Sequence, residues 1–148
     1  MKALFKTVQD RLTAQVSALQ FIDFDMGQID LPEDERPAIN FPCALIDINF
    51  PTTEDIADDT QLVNAVVSIR IADQVQGTTD SITAALQRDA ALGYLDLVDS
   101  VYKALQAYET SEFSNFSRVS QQGAIRADGI REVTINLNTT FEDLSATS

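Results

Sequence analysis

The sequence predicts an α+β fold: an antiparallel β-sheet with two helices packed on one face, in the order α-β-β-β-α-β-β. Three observations carry this. Two segments repeat apolar residues three and four apart, as an amphipathic helix does. Others alternate apolar and polar residues, as a strand with one buried face does. The strands also come in consecutive runs, which favours an antiparallel sheet over strand–helix–strand units. At 148 residues the chain fits one domain, residues 1–148, able to bury about two thirds of its unfolded surface without a metal or disulfide.

Each element follows from its own residues. Leu4, Phe5, Val8, Leu12, Val16 and Leu19 give residues 2–20 the stripe of a first helix, with Lys6, Gln9, Asp10 and Gln15 on its other faces. Phe21 to Asp25 has the composition of a short strand. Residues 26–40 hold Gly27, Pro32, Pro37 and the charged run Glu33-Asp34-Glu35-Arg36, which predicts a long acidic loop. From Cys43 to Phe50, Ala44, Ile46, Ile48 and Phe50 share one face, opposite Asp47 and Asn49. From Gln61 to Ala72, Val63, Ala65, Val67, Ile69 and Ile71 oppose Asn64, Ser68 and Arg70. Residues 51–60, between these strands, read as a second acidic loop. Asp80 to Tyr108 reads as one long helix through Ala85, Leu86, Ala90, Leu95, Val98, Val101, Tyr102 and Leu105, with Thr79 or Asp80 as N-cap. It would run to roughly 40 Å, with a bend or break expected at Gly93, which costs about 1 kcal/mol against alanine. Val119–Arg126 and Ile130–Phe141 form a hairpin about Ala127-Asp128-Gly129. Residues 144–148 are expected to fray.

Composition removes whole classes of chemistry. The chain has no histidine, so histidine general bases, triads and zinc sites are excluded. Its single cysteine, Cys43, forbids an internal disulfide or cysteine cluster. No tryptophan and five glycines leave little material for sugar platforms or phosphate-cradling loops. No run approaches a membrane span, and Met1-Lys2-Ala3-Leu4-Phe5-Lys6 turns polar too early for a signal peptide. An intracellular acidic protein without catalytic function, cofactor or membrane attachment is expected.

The net charge of −13 is unevenly placed: 11 acidic residues and one basic one, Arg36, lie between Asp23 and Asp59. Such a surface suits three roles: repelling a passing polyanion, docking a basic partner, or aiding solubility as a solvated face. Asp23-Phe24-Asp25-Met26-Gly27 opens like a calcium loop, but Gly27 takes the third acidic position and Asp34 stands where the closing glutamate belongs. Glu54-Asp55 with Asp58-Asp59 has the charge for a weak hydrated divalent ion at an interface, yet no specific metal site is assigned. No carboxylate pair is marked for glycoside chemistry. Cys43 lacks a basic neighbour or helix N-terminus to activate it and reads as structural. Ser111, Ser114, Ser117 and Ser120 read as linker residues. Phe113 and Phe116, in a polar connection, either plug the edge of the core or anchor a partner subunit.

The opening helix Leu4–Leu19, Met26-Gly27-Gln28, Phe41-Pro42-Cys43-Ala44-Leu45-Ile46-Asp47, Arg88-Asp89 and Leu95 to Tyr102 together resemble the tail-terminator (tail-completion) and head–tail joining neck proteins of long-tailed bacteriophages and prophages. Topology carries the resemblance more than any short signature, from Lys2 to about Leu144. It implies a structural virion protein, assembled in the bacterial cytoplasm into a ring, usually of six copies. Such a ring caps the tail tube, joins it to head-connector proteins and lets DNA pass without binding it. The family has no catalytic or ligand motif to transfer.

The residues add two points: an acidic lining keeps DNA from sticking, and long loops in compact domains are usually functional or disordered. Glu33, Asp34, Glu35, Glu54, Asp55, Asp58, Asp59, Phe113 and Phe116 are therefore the candidate lumen or interface residues. The rival reading is a monomeric acidic binding module or adaptor for a basic partner.

Overall fold

The structure, a computed structural model, describes residues 1–147. Helix α1 (Lys2–Gln15) is followed by β1 (Phe21–Phe24), a 3-10 turn (Glu33–Glu35), β2 (Cys43–Ala57), β3 (Thr60–Gln74), α2 (Ala85–Ala91), α3 (Gly93–Leu105), β4 (Ser117–Ala124) and β5 (Ile130–Asp143). The strands form one sheet in the order β1-β2-β3-β5-β4, with α1 and α3 on the same face. That is the α+β architecture expected, with three departures.

The first is direction. β2–β3, β3–β5 and β5–β4 pair antiparallel, but β1 pairs parallel with β2, Phe21 opposite Cys43 and Phe24 opposite Ile46. The sheet is therefore mixed. A parallel neighbour needs a crossover of a dozen residues or more, and residues 25–42 supply it.

The second concerns the helices. α1 ends at Gln15, although Val16 and Leu19 are still buried in the turn that follows, where the Leu19 amide donates to the Val16 carbonyl at 3.2 Å. Apolar spacing continues through that turn, so periodicity alone does not mark the end. The second helix is two. Asp80 Oδ1 accepts from the Ile82 and Thr83 amides at 3.1 and 2.9 Å, the pattern of an N-cap, but Ala84 is extended and α2 begins only at Ala85. The break falls where glycine placed it, with Gly93 opening α3. Leu86 is consequently 85% exposed rather than core, and Leu95 lies at the surface.

The third departure is the 51–60 segment. Instead of a loop, residues 51–57 continue β2 and pair with β3, Thr52 opposite Asn64 and Ala57 opposite Thr60. Thr52, Thr53 and Ile56 are β-branched and favour extended backbone. Pro51, which cannot donate to a ladder, falls at the register shift between Asn49 and Thr52, where a strand tolerates proline.

The main core lies between helices and sheet. Leu4, Val8 and Leu12 of α1 and Leu97, Val98, Val101 and Leu105 of α3 cover Ala44, Ile46, Ile48, Val67, Ile69, Ile71, Ile135 and Leu137. Each fully buried aliphatic contributes about 1.5–3 kcal/mol. Arg11 ties the helices together: its Nε donates to the Ala104 carbonyl at 2.8 Å, and its guanidinium lies 4.3 Å from the Tyr108 ring centre. A smaller core of Ile29, Cys43, Leu45, Ala72 and Ile130 occupies the opposite face of the sheet. Leu144–Thr147 is exposed and closes a turn, the Thr147 amide donating to the Leu144 carbonyl at 3.0 Å; Ser148 lies outside the described residues.

Candidate functional site

The acidic residues divide into two groups with opposite electrostatics. The first is built by the 26–40 segment, which folds down as a strap across the second face of the sheet. Its entry turn is made by side chains. Gly27 has φ +73, Asp25 Oδ1 accepts from its amide at 3.0 Å, and buried Gln28 bridges the Met26 amide and the Phe24 carbonyl at 2.8 and 3.0 Å. Ile29 then enters the small core, fully buried.

Three arginines fix the strap. Arg126 donates to Asp30 at 3.1 Å, to Asp128 at 2.6 Å and to the Ile29 carbonyl at 2.6 Å, and lies 3.4 Å from Glu132. Arg36 reaches Asp128 at 2.6 Å, and its Nε donates to the Leu31 carbonyl at 2.8 Å. Arg70, on the polar face of β3, reaches Asp30 at 2.8 Å and Glu132 at 2.9 Å. Its buried Nε, although near Glu132 and Asp25, has no well-aimed acceptor. Four acids and three arginines thus nearly cancel.

The electrostatics follow. The hydrogen bond from Arg126 holds the Asp128 carboxyl well below the usual carboxylate range, and the same bond holds the Arg126 guanidinium charged. Burial works against the charged form of Asp30, but hydrogen bonds and charge from Arg70 and Arg126 outweigh it and lower its pKa. Cys43, fully buried under the strap, is pushed up to about 11 by burial, which leaves the thiol protonated and inert near neutral pH.

The second group is unneutralised. β2 and β3 carry a hairpin arm beyond the helices, with residues 51–59 exposed throughout. It displays Glu54, Asp55, Asp58 and Asp59, and the end of β5 adds Glu142 and Asp143 opposite Leu62 and Gln61. None of these six is in an ion pair among the described residues. Asp55 accepts from Gln61 Nε2 at 2.9 Å.

The structure does not bring the candidate residues into one site. Glu33, Asp34 and Glu35 sit exposed on the strap's 3-10 turn, beside the Arg36–Asp128 pair and the β4–β5 turn. Asp58 and Asp59 lie at the other end of β3, whose 15 residues span roughly 45–50 Å. Phe113 and Phe116 are buried in the chain's own core: Phe113 meets Phe141 edge-on at 5.3 Å, and Phe116 stacks with Tyr108 at 6.2 Å. They plug the core edge and are not surface anchors. Arg70 and Arg126, which decide which acids remain free, were not among the candidates, although Arg70 interrupts an otherwise uncharged polar face. No cluster of three or more Cys, Asp or Glu arranged to hold a metal occurs among the described residues, and no described helix is long and apolar enough to cross a membrane.

No protein-family model matches the chain, and no curated protein matches it. In fold it is similar to a chain of the virion of a native gene transfer agent particle. The TM-score is 0.54 over 92% of each chain, at 10% sequence identity. At that identity it is a likeness of fold.

Proposed function

We propose that this chain is a structural protein of a phage-like virion, a ring-forming subunit that caps a tail tube and joins it to the head. The observation that carries the reading is the fold shared over 92% of both chains with a component of a gene transfer agent virion. The arm supports it. Its exposed acids, left unpaired while Asp30 of the strap is neutralised by Arg70 and Arg126, give a negative surface past which DNA slides without sticking. In this reading the self-assembled ring, of six copies, contacts a tail tube protein and head-connector proteins. It is not an enzyme and needs no cofactor, and it assembles in the bacterial cytoplasm.

The experiment is native mass spectrometry at several protein concentrations, with negative-stain images of the same samples. Annular particles with a central hole are the expected result. A strict monomer that captures a basic partner through Asp58 and Asp59 would replace this reading with that of an acidic adaptor.

A further inference from the structure

We propose that the free edge of β2, over Thr52–Ala57, pairs antiparallel with the outer edge of β4 in a second copy of this chain, so that the sheet continues from one protomer into the next. The inference rests on the ring-forming reading and names the surfaces that join its subunits.

Both edges are open. β1 covers only Cys43–Ile46 of β2, after which the Asp25 amide makes one last bond to the Ile46 carbonyl at 2.8 Å. Beyond it β2 runs on to Ala57 with no strand on that side among the described residues. Pro51 lacks an amide hydrogen, so a new ladder begins at Thr52. On the far side of the sheet, β4 pairs, among the described residues, only with β5. Each edge carries charge and a register shift, Glu54 and Asp55 with the shift at Asp55/Ala57 on β2 and Arg118 with the shift at Arg118/Ser120 on β4, but among the described residues neither is covered by another strand, the surest protection of an edge.

Topology supplies the direction. β3 runs opposite to β2, β5 opposite to β3, and β4 opposite to β5. A copy set alongside without reversing its strands therefore presents β4 antiparallel to its neighbour's β2, the more stable ladder.

Register supplies the offset. Through the sheet, Ser117 lies level with Asn138, Val66 and Asn49, and Ala124 with Glu132, Ala72 and Cys43. β4 thus sits at the height that β1 already occupies on β2, and flush pairing is blocked. The neighbour must shift along the strands by about nine residues, roughly 30 Å. That shift makes the contact heterologous; with the strands tilted to the ring axis, as in a closed barrel, such a stagger is compatible with a ring.

The side chains fit. Ile56 on the arm and Val119 on β4 are each 55% exposed, and Ile125 beyond β4 is fully exposed. An antiparallel register with Ala57 opposite Arg118 sets Ile56, at the register shift between Asp55 and Ala57, opposite Val119, at the shift between Arg118 and Ser120. Charge fits as well: residues 51–59 carry Glu54, Asp55, Asp58 and Asp59 with no basic residue, whereas residues 113–127 carry no acid and include Arg118. In an acidic chain, the acid-free edge is the one a second copy's arm can approach.

The test uses the full chain with Cys43 in place, since it is buried. Ile56→Cys and Val119→Cys variants are oxidised separately and mixed, with circular dichroism to verify folding. A disulfide-linked dimer at roughly tenfold higher yield in the mixture than in either variant alone is expected from a heterologous contact. Asp55→Lys/Asp58→Lys should weaken wild-type association about tenfold or more, and Arg118→Glu in the partner should recover part of it.

Val119→Cys dimerising alone at the yield of the mixture means two-fold β4–β4 pairing and overturns the inference. So does an absent disulfide in a mixture whose wild-type parent forms rings, an outcome that leaves the ring-forming reading standing. A wild-type chain still monomeric at about 1 mM, a concentration that detects contacts as weak as about −4 kcal/mol, with no disulfide in the mixture, overturns both.

Discussion

Replacing Arg126 with methionine tests whether the arginine–carboxylate cluster locks the strap. The substitution keeps the apolar stem of a side chain that is 12% exposed and removes its bonds to Asp30, Asp128 and the Ile29 carbonyl together with its pairing to Glu132. Breaking a buried ion pair from one side costs about 3–5 kcal/mol. Here only part of that applies, because Asp30 is 50% and Asp128 29% exposed at the side chain and both rehydrate. Glu132, at 6%, keeps only Arg70. A loss of about 2 kcal/mol is therefore expected, concentrated in the strap because the main core is untouched.

Cys43 provides the readout: it lies under the strap with its thiol raised to about 11, so it reacts with a disulfide reagent only after the strap lifts. A 2 kcal/mol loss in strap closure corresponds to roughly 30-fold faster labelling near pH 8, since 1.36 kcal/mol is tenfold. The melting temperature should fall by about 4–8 °C at most, and by less if the strap opens locally. Adding Glu132→Gln should recover part of the loss by removing the stranded charge. Labelling unchanged from wild type, or raised only in proportion to global unfolding, would refute the lock.

Three further outcomes follow from the same contacts. Phe116→Ala should cost about 3–5 kcal/mol in urea unfolding, because Phe116 is fully buried and stacked on Tyr108; a loss under 1 kcal/mol would place it outside the core. Asp30 and Asp128 have lowered pKa values, so the stability they give is complete above the unfolded carboxyl value of 3.8 and lost as pH falls through their folded values. Cys43, raised from 9.0 to about 11, removes stability as pH rises through that interval; a flat profile at both ends would contradict these assignments. Asp58→Lys/Asp59→Lys should change folding stability by no more than about 0.5 kcal/mol, as exposed substitutions do, while disturbing ring assembly or DNA passage. Wild-type assembly and DNA passage in that variant would leave the arm's acids a solubility role alone.

Much of the fold was legible because strand alternation and helical spacing are local signals. β3 and β5 fall where alternation put them, with Val67, Ile69, Ile135 and Leu137 on the covered face, and Gly93 marked the break between α2 and α3. The strap was less visible because its cause is distant in sequence: Arg70, Arg126 and Asp128 lie far along the chain from Asp30. One local sign did exist. Cys43-Ala44-Leu45-Ile46 is apolar at every position and buried throughout, the pattern of a strand covered on both faces. Reading only Ala44 and Ile46 as the apolar face left Cys43 and Leu45 without a cover, and Ile29, Ile39 and Phe41 of the strap region supply it. The long segment after Phe24 is of a length that permits a crossover to a parallel strand, but a long connection joins antiparallel strands equally well, so the direction of β1 was not legible.

Charge was the least readable property, because a sequence counts carboxylates without showing which are answered. The two acidic segments are alike on paper, both dense in Asp and Glu, both containing proline and both expected to be loops. Folding separates them. The strap brings Asp30 to Arg70 and Arg126 over a second small core, while Glu33, Asp34 and Glu35 stay exposed on its 3-10 turn. Among the described residues the arm meets no cation, and its extended backbone gives Glu54, Asp55, Asp58 and Asp59 neither a covering element nor a counter-charge. A folded chain gains nothing in stability from holding like charges on an exposed two-sided hairpin. The local cause for that arrangement must therefore lie in solubility or in what the arm meets outside its own chain. Solubility alone does not account for Ile56, an exposed aliphatic among four carboxylates, and that residue is why the edge of the arm, rather than its charge alone, is the surface to test.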